Sequence, residues 1–205
     1  MTPRMFGSRT ALTLSAAFTL AAVIAAPSRA AESANQLRYL DAKGTVVMAL
    51  EVKDGAVEAT GLNGAKLGKI KLSDDRVKLR DAGDVERLKV KRKDNGSEVE
   101  DGSGNRLYRI KDKGAGALVL ENAGGTTLAT VRTDGGGAEV RRDSGDVLAK
   151  VKSAGGKVVF EGANGDKLGE VEGASDTRAA AWLVIEKLSL AERAALWAFY
   201  AKVAP

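Results

Sequence analysis

The 205-residue chain contains no cysteine and no histidine. Their absence excludes disulfides, thiolate nucleophiles, Cys/His zinc sites and acid–base catalysis by imidazole. The sequence also has no phosphate-binding P-loop, no dinucleotide-binding glycine pattern and no G-x-S-x-G nucleophile motif. We therefore expect a protein that is not an enzyme, with no catalytic residues, no bound metal and no cofactor.

Long uncharged hydrophobic runs are scarce, and the longest lies near the N-terminus, at residues 11–26. Pro27 ends this run, and Ser28 and Ala30 place small residues at the −3 and −1 positions of a cleavage site. The pattern is typical of a secretory signal peptide, and the run is shorter than the roughly 20 residues that a membrane span needs. We predict that residues 1–30 are a signal peptide, that the protein is periplasmic or secreted, and that no transmembrane segment remains after cleavage.

The chain has little excess charge of either sign. Residues 31–205 carry 29 Lys and Arg against 27 Asp and Glu, so the formal net charge falls from +5 for the whole chain to +2. Nucleic-acid-binding domains are usually more basic, and we expect no nucleic-acid partner. The remaining 175 residues are enough for one domain that is stable without disulfides.

Internal repeats of about twenty residues fill most of the chain. Each unit contains a glycine, an apolar residue three positions later and a second apolar residue, the anchor, three positions after that. Asp84 and Arg87 replace the glycine and the first apolar residue in one unit, which we attribute to a local shift in register. The seven anchors are Leu50, Ile70, Val90, Ile110, Val131, Val151 and Val171.

Every unit also contains an earlier pair of positions, two residues apart, that is mostly apolar. Val57 and Ala59 form one such pair, and Leu118 and Leu120 form another. Charged or polar residues alternate with them, and a period of two predicts a strand with one buried face. Glycine and asparagine between the strands favour turns because they tolerate positive φ. Each unit is therefore a hairpin, and seven units predict about 14 short antiparallel strands within residues 31–174.

The C-terminal segment, residues 175–205, has a helical pattern instead. It contains four of the seven aromatic residues that follow residue 30. Residues 179–185 (AAAWLVI) are apolar around the whole circumference of a helix, which is typical of a buried helix. Ser175 or Asp176 is a suitable residue to cap its start.

A second, short helix is predicted after the buried one. Ser189 and Glu192 match a capping box, so this helix should begin at Leu190 and end at about Val203. The inward positions of several second strands hold only glycine or alanine, so the sheet alone leaves space inside it. We predict a barrel closed around the hydrophobic helix, with Trp182 in the space beside Gly68, Ala129, Ala149 and Gly169. An open β-solenoid capped by the tail is the alternative architecture.

The hairpins resemble those of a known family. Residues 40–47 (LDAKGTVV) and 101–111 (DGSGNRLYRIK) are similar to the D-x-x-G-x-x-L-x-x-I-K hairpins of LURP-one-related proteins, which belong with phospholipid scramblases to the tubby C-terminal-like barrels. The resemblance covers most of residues 36–188. It implies about twelve antiparallel strands around a hydrophobic C-terminal helix, and an affinity for phospholipid headgroups. The family's binding residues do not map onto this sequence.

Basic residues dominate the outward positions of the second strands. The candidate contacts with an anionic surface are Lys89, Lys91, Arg92 and Lys93. The alternative is that these cations pair across the sheet with the outward glutamates of the first strands. Asp101 to Asn105 faintly resemble a calcium loop but lack its alternating carboxylates, and we interpret them as a hairpin turn.

Three functions are compatible with these patterns. The first is a structural or binding module of the cell envelope, whose partner is an unidentified protein or an envelope polymer. The second is a phospholipid-interacting barrel with anionic lipid as partner, as the family resemblance implies. The third is a carboxylate-dependent hydrolase, which would need two carboxylates facing each other across a cleft.

Overall fold

The computed structural model describes residues 36–53 and 55–201. The predicted signal peptide lies outside the described residues. Fourteen antiparallel strands are present, as the repeats predict, and they are connected in simple sequence order. They are β1 (Gln36–Asp41), β2 (Val46–Lys53), β3 (Ala56–Thr60), β4 (Lys66–Leu72), β5 (Arg76–Arg80), β6 (Glu86–Lys93), β7 (Gly96–Asp101), β8 (Arg106–Asp112), β9 (Ala117–Asn122), β10 (Thr127–Asp134), β11 (Gly137–Arg142), β12 (Val147–Ala154), β13 (Lys157–Glu161) and β14 (Lys167–Glu172).

The sheet closes on itself because β1 pairs with β14. Tyr39 lies opposite Val171, and Asp41 lies opposite Gly169. The meander is thus a closed barrel, and the open solenoid is wrong. All seven repeat anchors point inward and are at most 2% exposed. The period of twenty therefore places one hydrophobic anchor per hairpin in the core.

Within each repeat unit, the two strands are joined by a tight turn that ends in a left-handed residue. In the first unit the amide of Gly44 donates to the carbonyl of Asp41 over 3.0 Å, and the φ angle of Gly44 is 80°. In the irregular unit Asp84 adopts the same conformation, with φ of 60°, and donates to Asp81 over 3.1 Å. Asp tolerates this region better than most residues with a side chain. The pairing of β5 with β6 does shift register, between Leu79 and Arg80, but the other units shift at the corresponding point as well. The substituted residue therefore keeps both the turn and the register of the other units.

The C-terminal helices fill the barrel. α1 (Thr177–Ala180) continues into a 3₁₀ turn (Ala181–Val184) that packs against β11 and β12, and α2 (Leu190–Ala201) packs against β3 to β6. Trp182 is fully buried and stacks on Tyr200 with ring centroids 4.9 Å apart. The two helical stretches form a hairpin whose apolar side chains belong to the same core as the strands.

Both predicted helix caps are present. The Asp176 side chain accepts a hydrogen bond from the amide of Ala179 over 3.0 Å, which starts α1. At α2 the amide of Ser189 donates to Glu192 over 2.6 Å, and the amide of Glu192 donates to the Ser189 hydroxyl over 3.3 Å. These reciprocal bonds are the capping box that the sequence predicts.

The expected role of the small inward residues needs correction at two of them. A Cβ on Gly68 would lie 2.4 Å from the carbonyl oxygen of Arg80, and a Cβ on Gly169 would lie 2.4 Å from that of Leu40. Neighbouring strands, and not Trp182, occupy the space beside these two glycines. These two glycines therefore allow neighbouring strands to approach closely, which a side chain at the same position would prevent.

Candidate functional site

Outward-facing charges alternate in sign around most of the barrel. Arg109 on β8 lies opposite Glu98 on one side and Glu121 on the other. Lys150 on β12 likewise lies between Glu139 and Glu161. Opposite charges in directly paired positions stabilise a sheet, so this part of the outer face is electrostatically satisfied.

The pattern breaks at β4, β5 and β6, where cations face cations. Lys71 lies opposite Lys78, which lies opposite Lys89 on its other side. Two further pairs have the same sign: Lys69 with Arg80, and Arg76 with Lys91. We call this surface the basic wall; it comprises Lys69, Lys71, Arg76, Lys78, Arg80, Lys89 and Lys91. Like charges in paired positions destabilise a sheet, so the four cation pairs of the basic wall have an energetic cost. Glu51 and Glu58 on β2 and β3 also face each other, but Lys53 contacts both of them.

Some of these cations have acidic partners, mostly near the strand ends. Lys78 contacts Glu86 at 2.7 Å, Lys91 contacts Glu100 at 2.7 Å, and Lys89 contacts Glu100 at 3.1 Å. Arg76 and Arg80 pair with Asp75 and Asp84, both at 2.9 Å. Five of the seven cations thus share four carboxylates, and these contacts leave three of the wall's positive charges unbalanced.

Lys69 and Lys71 are the cations of the basic wall that have no acidic contact among the described residues. Neither lysine has a carboxylate within 4.0 Å among the residues that the structure describes, and Lys71 is exposed. The lysine hydrogen bonds lower the pKa of Glu86 and of Glu100 below the usual value for glutamate. Those two carboxylates remain ionised partners of other lysines. Lys71 lies between Ala56 and Lys78 and faces no acid, whereas Lys69 lies between Glu58 and Arg80, so Lys71 is the lysine most available to an external anion.

The four residues predicted from the sequence do not share one face. Lys89 and Lys91 lie on the basic wall, and Lys93, on the same outward face, pairs with Glu98 at 3.3 Å. Arg92 alternates to the inner face at the barrel end, where its guanidinium carbon lies 5.7 Å from the centre of the Phe199 ring. Pairing with acids, the alternative interpretation, is observed for Lys89, Lys91 and Lys93. Lys69 faces Glu58 without a contact within 4.0 Å, and Lys71 faces no acid among the described residues.

Sequence reasoning missed the strand that creates the basic wall. Most first strands of the other units carry outward glutamates, such as Glu58 and Glu98, whereas β5 carries Arg76, Lys78 and Arg80. The signal was therefore present as a change of charge in one column of the repeat. It became interpretable only when the register showed which cations face one another.

Two apolar side chains lie exposed at neighbouring hairpin tips beside the basic wall. Leu62, between β3 and β4, is 50% exposed, and Val85, between β5 and β6, is 53% exposed. Both turns are at the same end of the barrel. The wall is therefore bordered at this end by two apolar contacts that nothing in the described chain covers.

Within residues 36–53 and 55–201, no group of three or more Asp or Glu is arranged to hold a metal ion. Asp101 lies in a hairpin turn, where one of its carboxylate oxygens accepts from the amides of Ser103 and Asn105. No helix in the described part of the chain is long and apolar enough to cross a bilayer.

Comparisons with known proteins assign this chain to no family. No protein-family model and no curated protein sequence matches the chain. The X-ray structure of a protein from Arabidopsis thaliana, AT5G01750, is similar with a TM-score of 0.40 and 17% identity, over 76% of this chain and 91% of that chain. Similarity at this level shows neither a common fold nor a common function, and kinship with LURP-one-related proteins stays a prediction.

Proposed function

We propose that this protein is an exported, non-enzymatic binding module whose basic wall holds an anionic polymer of the cell envelope. The observation that carries the proposal is the set of four directly opposed cation pairs on β4, β5 and β6. An anion lying across these strands would relieve the repulsion between the cations. The N-terminal pattern typical of a signal peptide supports export.

The shape of the basic wall suits an extended polymer. Its cations lie on three neighbouring strands, and adjacent strands are spaced by about 4.8 Å. The row Lys71, Lys78 and Lys89 therefore crosses the strands as a line of three positive charges. A polymer with regularly spaced anionic groups can contact such a row at several points, whereas a single small anion contacts one or two.

Binding to soluble polyanions tests this proposal. Heparin and polygalacturonate are suitable probes because they carry sulfate and carboxylate groups on comparable sugar backbones. Isothermal titration calorimetry at low and high salt should show binding that weakens as salt rises. The double variant Lys69→Gln/Lys71→Gln should bind about threefold to tenfold more weakly than the natural chain.

The repeat provides a matched control for this variant. Lys150 and Lys152 occupy the corresponding positions of β12, and Lys152 pairs with Glu161 at 2.5 Å. Lys150→Gln/Lys152→Gln removes the same charge from a surface where cations face acids, and should leave affinity nearly unchanged. Equal losses in the two double variants would show that only net charge matters. Absence of binding to both polymers would also reject the proposal.

An anionic lipid surface is the second candidate ligand for the basic wall. The exposed side chains of Leu62 and Val85 favour it, because peripheral membrane proteins combine basic residues with apolar contacts. Vesicles with and without phosphatidylserine distinguish it from the polymer. If Leu62→Ser/Val85→Ser abolishes vesicle binding and leaves heparin binding intact, the wall serves both ligands through different contacts. If the natural chain does not bind anionic vesicles, the proposed lipid function is wrong.

A further inference from the structure

A cavity lies at the end of the barrel where successive repeat units are joined. Its volume is about 980 Å³, and it opens between the β6–β7 turn and the end of α2. Phe199, Tyr200 and the buried Leu118 provide its apolar lining, and charged residues surround them. None of the seven cations of the basic wall lines this cavity, although Asp75, which does line it, pairs with Arg76 of the wall.

Most acids around the cavity already have partners. Asp75 accepts two hydrogen bonds from Arg76, at 2.9 and 3.1 Å. Asp112 accepts from the amide of Gly114 over 2.8 Å, and Asp176 caps α1. These three carboxylates thus serve the turns and the helix at this end.

Two guanidinium groups in the cavity lack such partners. Arg92 lies 5.7 Å from the centre of the Phe199 ring, and Arg178 lies 5.8 Å from the centre of the Tyr200 ring. Neither has a carboxylate within 4.0 Å among the described residues. The Nε atom of Arg178 is buried and has no hydrogen-bond acceptor in the described chain. A buried donor without an acceptor is unfavourable, so an acceptor supplied by a ligand would be stabilising.

Tyr200 lies between these cations. Its hydroxyl is 3.1 Å from the Ser97 hydroxyl, which is buried inside the barrel. Burial raises the pKa of Tyr200, and the positive charges of Arg178 and Arg92 both act to lower it. The geometry links the two cations through neighbouring rings, because Arg178 lies over Tyr200, Arg92 lies over Phe199, and the two ring centroids are 5.2 Å apart. When Ser97 donates to Tyr200, the tyrosine proton is free to point into the cavity.

We propose that this cavity binds a small oxyanion, a carboxylate or a phosphate group, held by Arg92, Arg178 and the Tyr200 hydroxyl. Planar guanidinium groups match both anions because each presents paired N–H donors to paired oxygens. Binding leaves the hydrogen bonds of Asp75, Asp112 and Asp176 intact. Asp94 also lines the cavity, and its negative charge would disfavour bulky polyanions, so the site suits a compact ligand.

Calorimetric titration of the full chain with inorganic phosphate and with succinate tests this inference. At least one probe should bind with a one-to-one ratio, and the tighter of the two identifies the anion class. Arg92→Gln and Arg178→Gln should each weaken binding by about tenfold or more. Arg178→Lys keeps the charge but loses the paired donors, and should also bind more weakly. Circular dichroism checks that each variant is folded.

Two controls separate this site from the basic wall. Arg132→Gln removes an outward cation that lies opposite Glu139 on β11, and should leave binding of the small anion unchanged. Lys69→Gln/Lys71→Gln should also leave it unchanged, although the same variant weakens polymer binding. The inference is overturned if neither probe binds, or if either control lowers affinity as much as the cavity variants do.

Discussion

Repulsion between the cations of the basic wall should lower the free energy of unfolding, and the variant Lys71→Glu measures by how much. Lys71 lies directly opposite Lys78 and has no carboxylate within 4.0 Å in the described chain. Two unit charges about 6 Å apart in water interact with about 0.7 kcal/mol. Reversing one charge turns repulsion into attraction. After screening by salt, we expect the free energy of unfolding to rise by about 0.5–1 kcal/mol.

Urea denaturation followed by circular dichroism measures this change. The gain should be largest at low salt and vanish near 1 M salt, where the Debye length is about 3 Å. Lys152→Glu is the matched control: it breaks the 2.5 Å contact with Glu161, so it should destabilise the barrel. Lys71→Glu should at the same time weaken heparin binding. If Lys71→Glu lowers stability at low salt, the repulsion inferred from the strand register does not exist.

Two further predictions concern a helix cap and an ion pair. Asp176→Ala removes the cap of α1 and should cost about 1 kcal/mol in urea denaturation, whereas Ser175→Ala should cost little. Glu100, which contacts Lys91 at 2.7 Å, has a lowered pKa in the folded protein. Its contribution to stability is therefore present above the usual glutamate pKa of 4.5 and is lost as pH falls through the lowered value. Glu100→Gln should flatten the loss of stability on acidification; an unchanged pH profile would contradict this.

The strand count, the hairpin repeat and the buried helix were predictable because each follows from a local pattern. The anchors Leu50 to Val171 recur once per hairpin, and alternation within each strand fixes which side chains face inward. The stretch around Trp182 is apolar on every side, which indicates burial without any knowledge of its neighbours. An underfilled sheet and a buried helix favoured closure, but the period of twenty also fitted an open solenoid, and only the pairing of β1 with β14 decided between the two.

The candidate sites were only partly predictable, because they depend on contacts between distant residues. Lys89, Lys91, Arg92 and Lys93 look like one basic run in the sequence, yet Arg92 lies on the opposite face from the other three. Conversely, Lys71 and Lys89 belong to one surface only because β5 lies between their strands. The cavity could not be predicted from the strand patterns, because α2 contributes part of its lining and those patterns do not show where α2 lies.

Mapping the polymer contact by NMR tests the central proposal most directly. Backbone amide shifts of the ¹⁵N-labelled protein would be followed while a short heparin oligosaccharide is added at low salt. The proposal predicts saturable shifts concentrated on β4, β5 and β6, around Lys69, Lys71 and Lys78. Shifts centred on β10 to β13, where cations face acids, or shifts spread evenly over all outward lysines, would contradict the assignment of the basic wall as the binding surface.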